Sequence, residues 1–452
     1  MPTSNGFSSI IVLVIGVILG ALGLFIFQNF SKYSIQLPKA TSLSETIGQE
    51  ASVLVEKVKG SKYHSPDGTW WGYNQSKIVR HKDLVFTYYI DNDDDSSKTA
   101  SRFVMMKKAG ENPWEQGAIF PTSRPGNLLV DSRGVLHAFV FEPFNVSSND
   151  SWGRILHYYF PDSAKGDIEN YKKEIVVDND GTLETANIRV GAAIGSDDTM
   201  VISFGLTKFN SLYKAQSEHI YFKKPDEEVW NHSFTDGLTS DFYYPFTLVA
   251  GNTVSLLPIQ DDFTGQGNPN IYQKILFMQV KDGVWNQEMI VDLSNHDLAK
   301  SRPRLLEQED LYLDKFGTIH ILYKEFLDPE NIFAATTHWH VKGSLGNFKK
   351  EQVKLDIPGV NWIRLLEVDG SLYYLVTTFG ELFISPIENI KLTKINLPSD
   401  VSNNYPYIST PKSGSTNGDF VDVLLLGADK KLFKDGKNTN YYVKIPKSYF
   451  KP

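Results

Sequence analysis

Residues 126–141 read GNLLVDSRGVLHAFVF. Gly126 to Val130 is a short apolar run, Asp131 to Gly134 is the Asp-x-x-Gly of a tight hairpin, and a second apolar run follows to Phe141. The stretch therefore predicts two antiparallel strands joined by a turn. Its recurrence decides the fold. Apolar runs of the second kind return as LVFTYYI at Leu84, VLHAFVF at Val135, MVISFGL at Met200, VSLLPIQ at Val254, TIHILYK at Thr318, LYYLVTT at Leu372 and VDVLLLG at Val421, spaced by roughly 50–65 residues.

Each run has a partner before it, such as SKIVRH at Ser76, SRPRLL at Ser301 or NWIRLL at Asn361, and a third strand after it, such as ILHYYF at Ile155 or ILFMQV at Ile275. A fourth strand opens on an aromatic residue, at Trp114, Tyr171, Trp230, Trp285 and Phe348; WNQEMIVD at Trp285 is the clearest copy. Four antiparallel strands returning seven times predict an all-β, seven-bladed β-propeller over residues 67–452, in which each blade buries one face against the next. The seventh repeat is the weakest, with TNYYVKIP near Tyr441 read as its fourth strand.

Composition agrees. The chain has 452 residues, 41% of them hydrophobic, 13% aromatic and 22% charged, which excludes disorder and favours strands and turns over a helical bundle. A formal net charge of −8 argues against nucleic acid as a partner, since phosphate binding needs a cationic face. With Cys 0, disulfides, Cys-ligated zinc and thiol nucleophiles are excluded. No P-loop or dinucleotide glycine fingerprint occurs in a strand–helix context, so no cofactor is expected.

The N-terminus divides into a short tail (1–9), the uncharged run Ile10–Phe27 (IIVLVIGVILGALGLFIF) and a stalk (28–66). As a helix the run spans about 27 Å, close to a bilayer core of about 30 Å, and predicts a single transmembrane helix. A cleaved signal peptide is the competing reading, but no basic segment precedes the run and no small-x-small site follows it. Lys32 and Lys39 after the span would place the bulk in the cytoplasm on a positive-inside count; the expectation adopted is the opposite, an extracytoplasmic domain, because large domains translocate largely regardless of charge. Gly16 and Gly20 form a GxxxG that arises readily by chance in such a run, so the oligomeric state stays open. In the stalk, Ile47, Ala51, Leu54, Val55 and Val58 form one stripe of a short amphipathic helix, and the rival reading is a strand added to the main domain through Val53 and Val55.

Two repeats carry a sharper pattern. Pro125, Asp131, Gly134 and His137 are matched by Pro303, Asp314, Gly317 and His320, each an Arg-Pro start to an inner strand, an Asp-x-x-Gly hairpin and a His two residues inside the outgoing strand. This resembles the BNR-repeat propellers of the sialidase superfamily, and DGTWWGYNQSKIV at Asp67 is similar to the first blade of the branch that includes polysaccharide lyases. The resemblance implies the scaffold. Ser65-Pro-Asp67-Gly-Thr-Trp70 departs from the Asp-box of sialidases, and Ser123-Arg124 and Glu142 stand where the lyase branch usually has His, so the proton-transfer residues of that family do not carry over.

Propeller ligands sit at the mouth reached by loops flanking the inner strands. Residues beside those strands include Trp70, Trp71, Tyr73, Asn74, Arg124, Tyr243, Tyr244, Arg302, Arg304, Trp362, Arg364, Tyr405 and Tyr407. Rings with interleaved Arg suit a glycan or anionic ligand; the ordinary alternative is that the rings fill the blade junctions and the Arg residues form ion pairs. The ligand-binding set expected is Arg124, Arg302, Arg304, Arg364, Trp70, Trp71, Tyr244 and Trp362, with Arg124 and Arg302 facing the mouth together. His137, His157, Tyr158 and Glu142 are the candidates for catalysis, and Glu325 ends an outgoing strand where it could act as acid or base. His338 and His340 share a strand face but read as a surface pair, since no third metal ligand stands at the right spacing. The run Asp91, Asp93, Asp94, Asp95 lacks the rest of a calcium loop and reads as a solvated hairpin tip. The expected function is a membrane-anchored, surface-displayed propeller that binds a glycan or another extracellular ligand without catalysis. A carbohydrate-active enzyme and a protein-interaction scaffold are the alternatives.

Overall fold

The structure, a computed structural model, describes residues 52–60, 73–91, 102–122, 125–143, 153–178, 184–185, 189–209, 214–262, 270–331, 335–398, 401, 405–416, 418–427 and 439–450. The described residues form seven antiparallel sheets. Six are built from consecutive strands; the first blade runs Ile78–His81, Leu84–Asp91, Arg102–Ala109 and Glu115–Pro121, and the second Asn127–Val130, Leu136–Pro143, Gly153–Phe160 and Lys172–Asp178. All seven apolar runs found in the sequence are second strands of blades, and each of the five signature aromatics stands at the start of a fourth strand.

The junctions show why the strands are apolar on both faces. Among the described residues there are seven hydrophobic clusters, and each joins two neighbouring blades. One holds Val79 and Phe86 of blade one with Leu128 and Leu136 of blade two; another holds Leu424 and Tyr442 of blade seven with Ile78 and Val85 of blade one. Seven junctions for seven blades make a closed ring. The signature aromatics sit at the outer end of these junctions and reach back to the previous blade. Trp114 meets Tyr442 edge-on at 5.3 Å, Tyr171 meets Phe120 at 5.0 Å, Trp230 meets Phe139 at 5.7 Å, and Phe348 meets Phe277 at 5.1 Å. Trp285 instead donates its Nε1 hydrogen to Ser233 Oγ at 2.9 Å.

Closure corrects two expectations. The strand Thr439–Pro446 is the third of blade seven, not the fourth; its outer neighbour is Leu54–Gly60, paired from Leu54 with Lys444 to Gly60 with Thr439. The stalk stripe is therefore not a helix at this point. Val53 and Val55 pack towards blade six while Leu54 and Val58 pack towards blade one, the alternation of a strand inserted between two junctions. The propeller thus begins upstream of Asp67. Across the same closure, Arg80 of blade one grips Asp422 of blade seven through Nε and Nη2 at 2.5 and 2.6 Å, and Tyr442 donates to the same carboxylate at 2.6 Å.

The tail, the run Ile10–Phe27 and residues 28–51 lie outside the described residues. Among the described residues, no helix is long and apolar enough to cross a membrane.

Candidate functional site

The axis of the ring is filled from both ends. On the upper face, where the inner strands begin, residues 73–76 lie over the centre ahead of Ile78–His81. Tyr73 stacks on Tyr244 at 5.3 Å and leans on Trp362 at 5.4 Å. Asn74 Nδ2 donates to the Pro245 carbonyl at 3.0 Å, Gln75 Nε2 to that of Pro125 at 3.1 Å, and the Ser76 amide to Asn127 Oδ1 at 3.0 Å. Tyr244, before Pro245, is held at φ 55 by a register shift in its strand, a strained conformation for a bulky residue. On the lower face, the turn after Tyr405–Ile408 crosses the axis. Gly414, at φ 79, lies so close to the Val130 carbonyl that a Cβ would stand 1.7 Å from its oxygen, which is why glycine is required here. Thr416 N donates to the Arg80 carbonyl at 3.0 Å, and Lys412 Nζ to Asp310 Oδ1 at 2.8 Å.

Between the two plugs a void of about 30 Å3 remains, lined in part by Asn74, Asp310, Arg364, Tyr407 and Lys412 and suited to water-sized occupants only. Arg364 spans it: Nε donates to the Pro406 carbonyl at 3.0 Å, Nη1 to that of Glu309 and Nη2 to that of Tyr73. Lys77, fully buried, lies 4.4 Å over the Tyr407 ring, and burial, with Arg364 nearby, pulls its ammonium well below the ordinary range.

Among the described residues, the upper surface around Arg304 carries partly exposed polar groups. Its Nη2 reaches Glu307 Oε1 at 2.5 Å, and its guanidinium centre lies 5.1 Å from the Phe326 ring. The side chain is 47% exposed. Glu307 Oε2 takes Lys324 Nζ at 3.0 Å, and Lys324 in turn sits 3.9 Å over Trp362. Burial pushes the Glu307 carboxyl up, but Arg304 and Lys324 outweigh it and leave the group below its usual range, hence ionised. The half-buried phenols of Tyr73, Tyr272 and Tyr405 are all pushed up, by burial first; Glu307 adds to this at Tyr73 and Tyr405. Alongside, Arg189 pairs with buried Asp261 at 2.8 Å and lies 4.5 Å over Tyr243. The surface is a mesh of cation–carboxylate pairs separated by rings. A guanidinium of this kind has the chemistry to take a carboxylate, sulfate or hydroxyl group.

The residues singled out from sequence are scattered by the fold. Trp70, Trp71 and Arg124 lie outside the described residues, as do residues 92–95 of the acidic run. Tyr244 and Trp362 are buried in the core, at 4% and 0% exposure, and Arg364 is bound to three carbonyls. Arg302 donates through Nη1 and Nη2 to the carbonyls of Asp328 and Pro329 in its own blade, so backbone oxygens occupy the fork that was expected to hold an anion. Glu325 is buried, with Lys350 at 3.4 Å. Asn74, the start of a glycosylation sequon, is 6% exposed and bonded inside the plug.

The candidates for catalysis do not share one surface. His157 faces Phe139 and Trp230 in the junction with blade three, whereas Tyr158 stacks on Phe120 at 3.9 Å in the junction with blade one. Glu142 is half-buried at the upper end of its strand, opposite Arg154. His137 and His157 belong to a relay: Asp131 Oδ2 lies 3.9 Å from His137 Nε2, His137 Nδ1 lies 2.8 Å from His157 Nε2, and His157 Nδ1 lies 2.8 Å from Glu174 Oε1. The relay recurs in blade five, where Asp314 Oδ2 meets His320 Nε2 at 3.2 Å, His320 Nδ1 meets His340 Nε2 at 2.9 Å, and His340 Nδ1 meets the Tyr374 hydroxyl at 2.7 Å. His338 is likewise buried, on Glu309 Oε2 at 2.9 Å, so His338 and His340 are not a surface pair. Among the described residues no group of three or more His, Asp or Glu could hold a metal ion.

Sequence reasoning missed Arg189, Asp261, Tyr272, Glu307 and Lys324. Arg304 and Glu307 stand three apart in RPRLLE, which hinted at a local pair; the others come together only through the ring.

No family model matches the sequence, and no curated protein is similar to it. Solved structures are similar to it in architecture. YCF48 bound to a D1 peptide is 8% identical with a TM-score of 0.42, covering 88% of this chain and 99% of its own. A prolyl endopeptidase is 10% identical with a TM-score of 0.41, covering 84% of this chain, which spans 48% of that enzyme. A subtype N10 neuraminidase-like protein of the strain A/little yellow-shouldered bat/Guatemala is 11% identical with a TM-score of 0.38, covering 82% of this chain and 94% of its own. What each binds or cleaves is a property of that protein.

Proposed function

We propose that this protein is a ligand-binding propeller, anchored by Ile10–Phe27 and displayed outside the membrane, that seats an acidic, hydroxyl-rich ligand such as a carboxylated or sulfated glycan on its upper face without transforming it. The observation that carries this reading is Arg304: its side chain is half exposed, held in place by Glu307 and Phe326, with the phenols of Tyr73 and Tyr405 close by. A fork fixed in this way loses little freedom on binding and offers two parallel hydrogen bonds to a carboxylate or sulfate. The plugged axis directs any ligand larger than water to the surface. The enzyme reading would need acid and base groups converging on one cleft, and His157 and Tyr158 point into different junctions.

A glycan array probed with the full chain tests this. Binding is expected to concentrate on carboxylated and sulfated glycans and to fall at least tenfold in Arg304→Ala. Equal binding by the variant, or unsaturated or hydrolysed products in the bound material, contradicts the reading.

A further inference from the structure

The rim of blade three carries an arrangement that the upper face does not use. Its strands Met200–Phe209, Lys214–Lys223 and Asn231–Thr235 pair Phe204 with His219, His219 with Phe234, and Tyr221 with His232. Five rings thus share the face turned towards blade two. Their centroids lie 4.3–6.0 Å apart and their planes within 6–18° of one another. His219 Nδ1 and His232 Nε2 are 2.9 Å apart, and Ser217 Oγ lies 2.8 Å from His219 Nε2, so the imidazoles are locked in orientation. Burial, and then the neighbouring His232, pull His219 down to about 3, which keeps this array uncharged near neutral pH. Phe234 is 53% exposed and His232 is exposed, on a strand that has no neighbour outside it among the described residues.

The same face ends in polar groups. Trp230 Nε1 donates to Glu174 Oε1 of blade two at 2.9 Å, and Lys223 Nζ lies 3.0 Å from Glu174 Oε2. Glu174 keeps 29% of its side chain exposed. Trp230 and Phe234 are four residues apart on one strand, about 13 Å at the rise of a β-strand.

We propose that this strip, at the outer edge of blade three, binds a short neutral oligosaccharide, with pyranose faces stacked on the exposed outer rings of Phe234 and His232, which lie over the inner rings of His219 and Tyr221, and hydroxyls meeting Glu174 and Lys223. The C–H face of a pyranose matches a flat ring, and rings already locked by their neighbours give up little entropy when a sugar covers them. A carboxylate acceptor beside an ammonium donor fixes the direction of the chain of sugars. The strip offers aromatic faces and a Glu174–Lys223 pair, whereas the seat at Arg304 rests on a partly exposed guanidinium; that difference separates the two.

The test uses the full-length chain in a polyoxyethylene detergent, titrated with cellohexaose, chitohexaose, xylohexaose and mannohexaose by saturation-transfer NMR. At least one should bind, and Phe234→Leu, which keeps an apolar side chain but removes the ring, should weaken it at least tenfold while Phe234→Tyr retains it. Arg304→Ala should leave this binding unchanged, so the strip and the upper-face seat fail independently. The proposal is overturned if none of the four binds, if Phe234→Leu binds as wild type does, or if only peptides with aromatic side chains compete for the strip.

Discussion

Glu218 is a carboxyl in the wrong solvent. It is 0% exposed, neither oxygen has a hydrogen-bond partner, and burial pushes the group well above its usual range, so it is held as the neutral acid. Replacing it with Met removes two unsatisfied polar atoms at similar volume and should stabilise the protein by about 1–3 kcal/mol, read as a higher urea midpoint. A fall in the midpoint would show that the carboxyl has a stabilising role. The histidine relays make the opposite kind of statement. In blade two the ionised Glu174 carboxylate accepts a hydrogen bond from His157 Nδ1–H, so His157 Nε2 accepts from His137 Nδ1–H. In blade five the Asp314 carboxylate accepts one from His320 Nε2–H, so with neutral rings the donors run the other way, from Tyr374 through His340. Burial lowers His157 to about 4 and His340 to about 3. Their unfolded forms titrate near 6.5, so between that value and the folded one the unfolded chain binds more protons and stability falls as pH falls. Each should cost about 2 kcal/mol between pH 7.5 and pH 5. His157→Gln should flatten the pH dependence of the urea midpoint over that range, and an unchanged slope would mean the buried imidazole already carries its proton at pH 7.

At the scale of elements, the Asp-x-x-Gly hairpins were legible because the turn chemistry is local: Asp131 Oδ1 accepts from the amides of Arg133 and Val135, and Asp314 Oδ1 from those of Phe316 and Thr318. The signature aromatics were legible because every outer strand needs a side chain to seal its junction. Leu54–Gly60 was not, since its apolar residues satisfy a helical stripe and a strand alternation alike, and the partner that decides between them lies at the other end of the chain. Two changes test the closure. A fragment beginning at residue 67 lacks the outer strand of blade seven and leaves the edge of Thr439–Pro446 open, so it should aggregate or melt well below a fragment beginning at residue 52. Asp422→Ala, which strands Arg80 in a buried site, should cost about 3–5 kcal/mol in the longer fragment. Equal melting of the two fragments would place the closure elsewhere.

For the whole molecule, the repeat length and the seven apolar runs announced the ring, whereas the state of its axis was hidden. Nothing in the sequence says that residues 73–76 and the turn at Gly414 meet over and under one centre, because each owes its place to five or more blades. The same holds for the expected site. Arg302 and Arg304 look alike in sequence, yet one is spent on carbonyls and the other pairs with Glu307 and stays half exposed. On the proposed reading, a closed, plugged propeller presents its ligand seat on the upper face. Backbone hydrogen exchange of the full-length chain, with and without a saturating heparin-derived octasaccharide, tests it most directly. Slowed exchange is expected at residues 73–78, 302–307 and 405–408, absent in Arg304→Ala. Protection confined to the lower-face turns, or none at saturation, would contradict it.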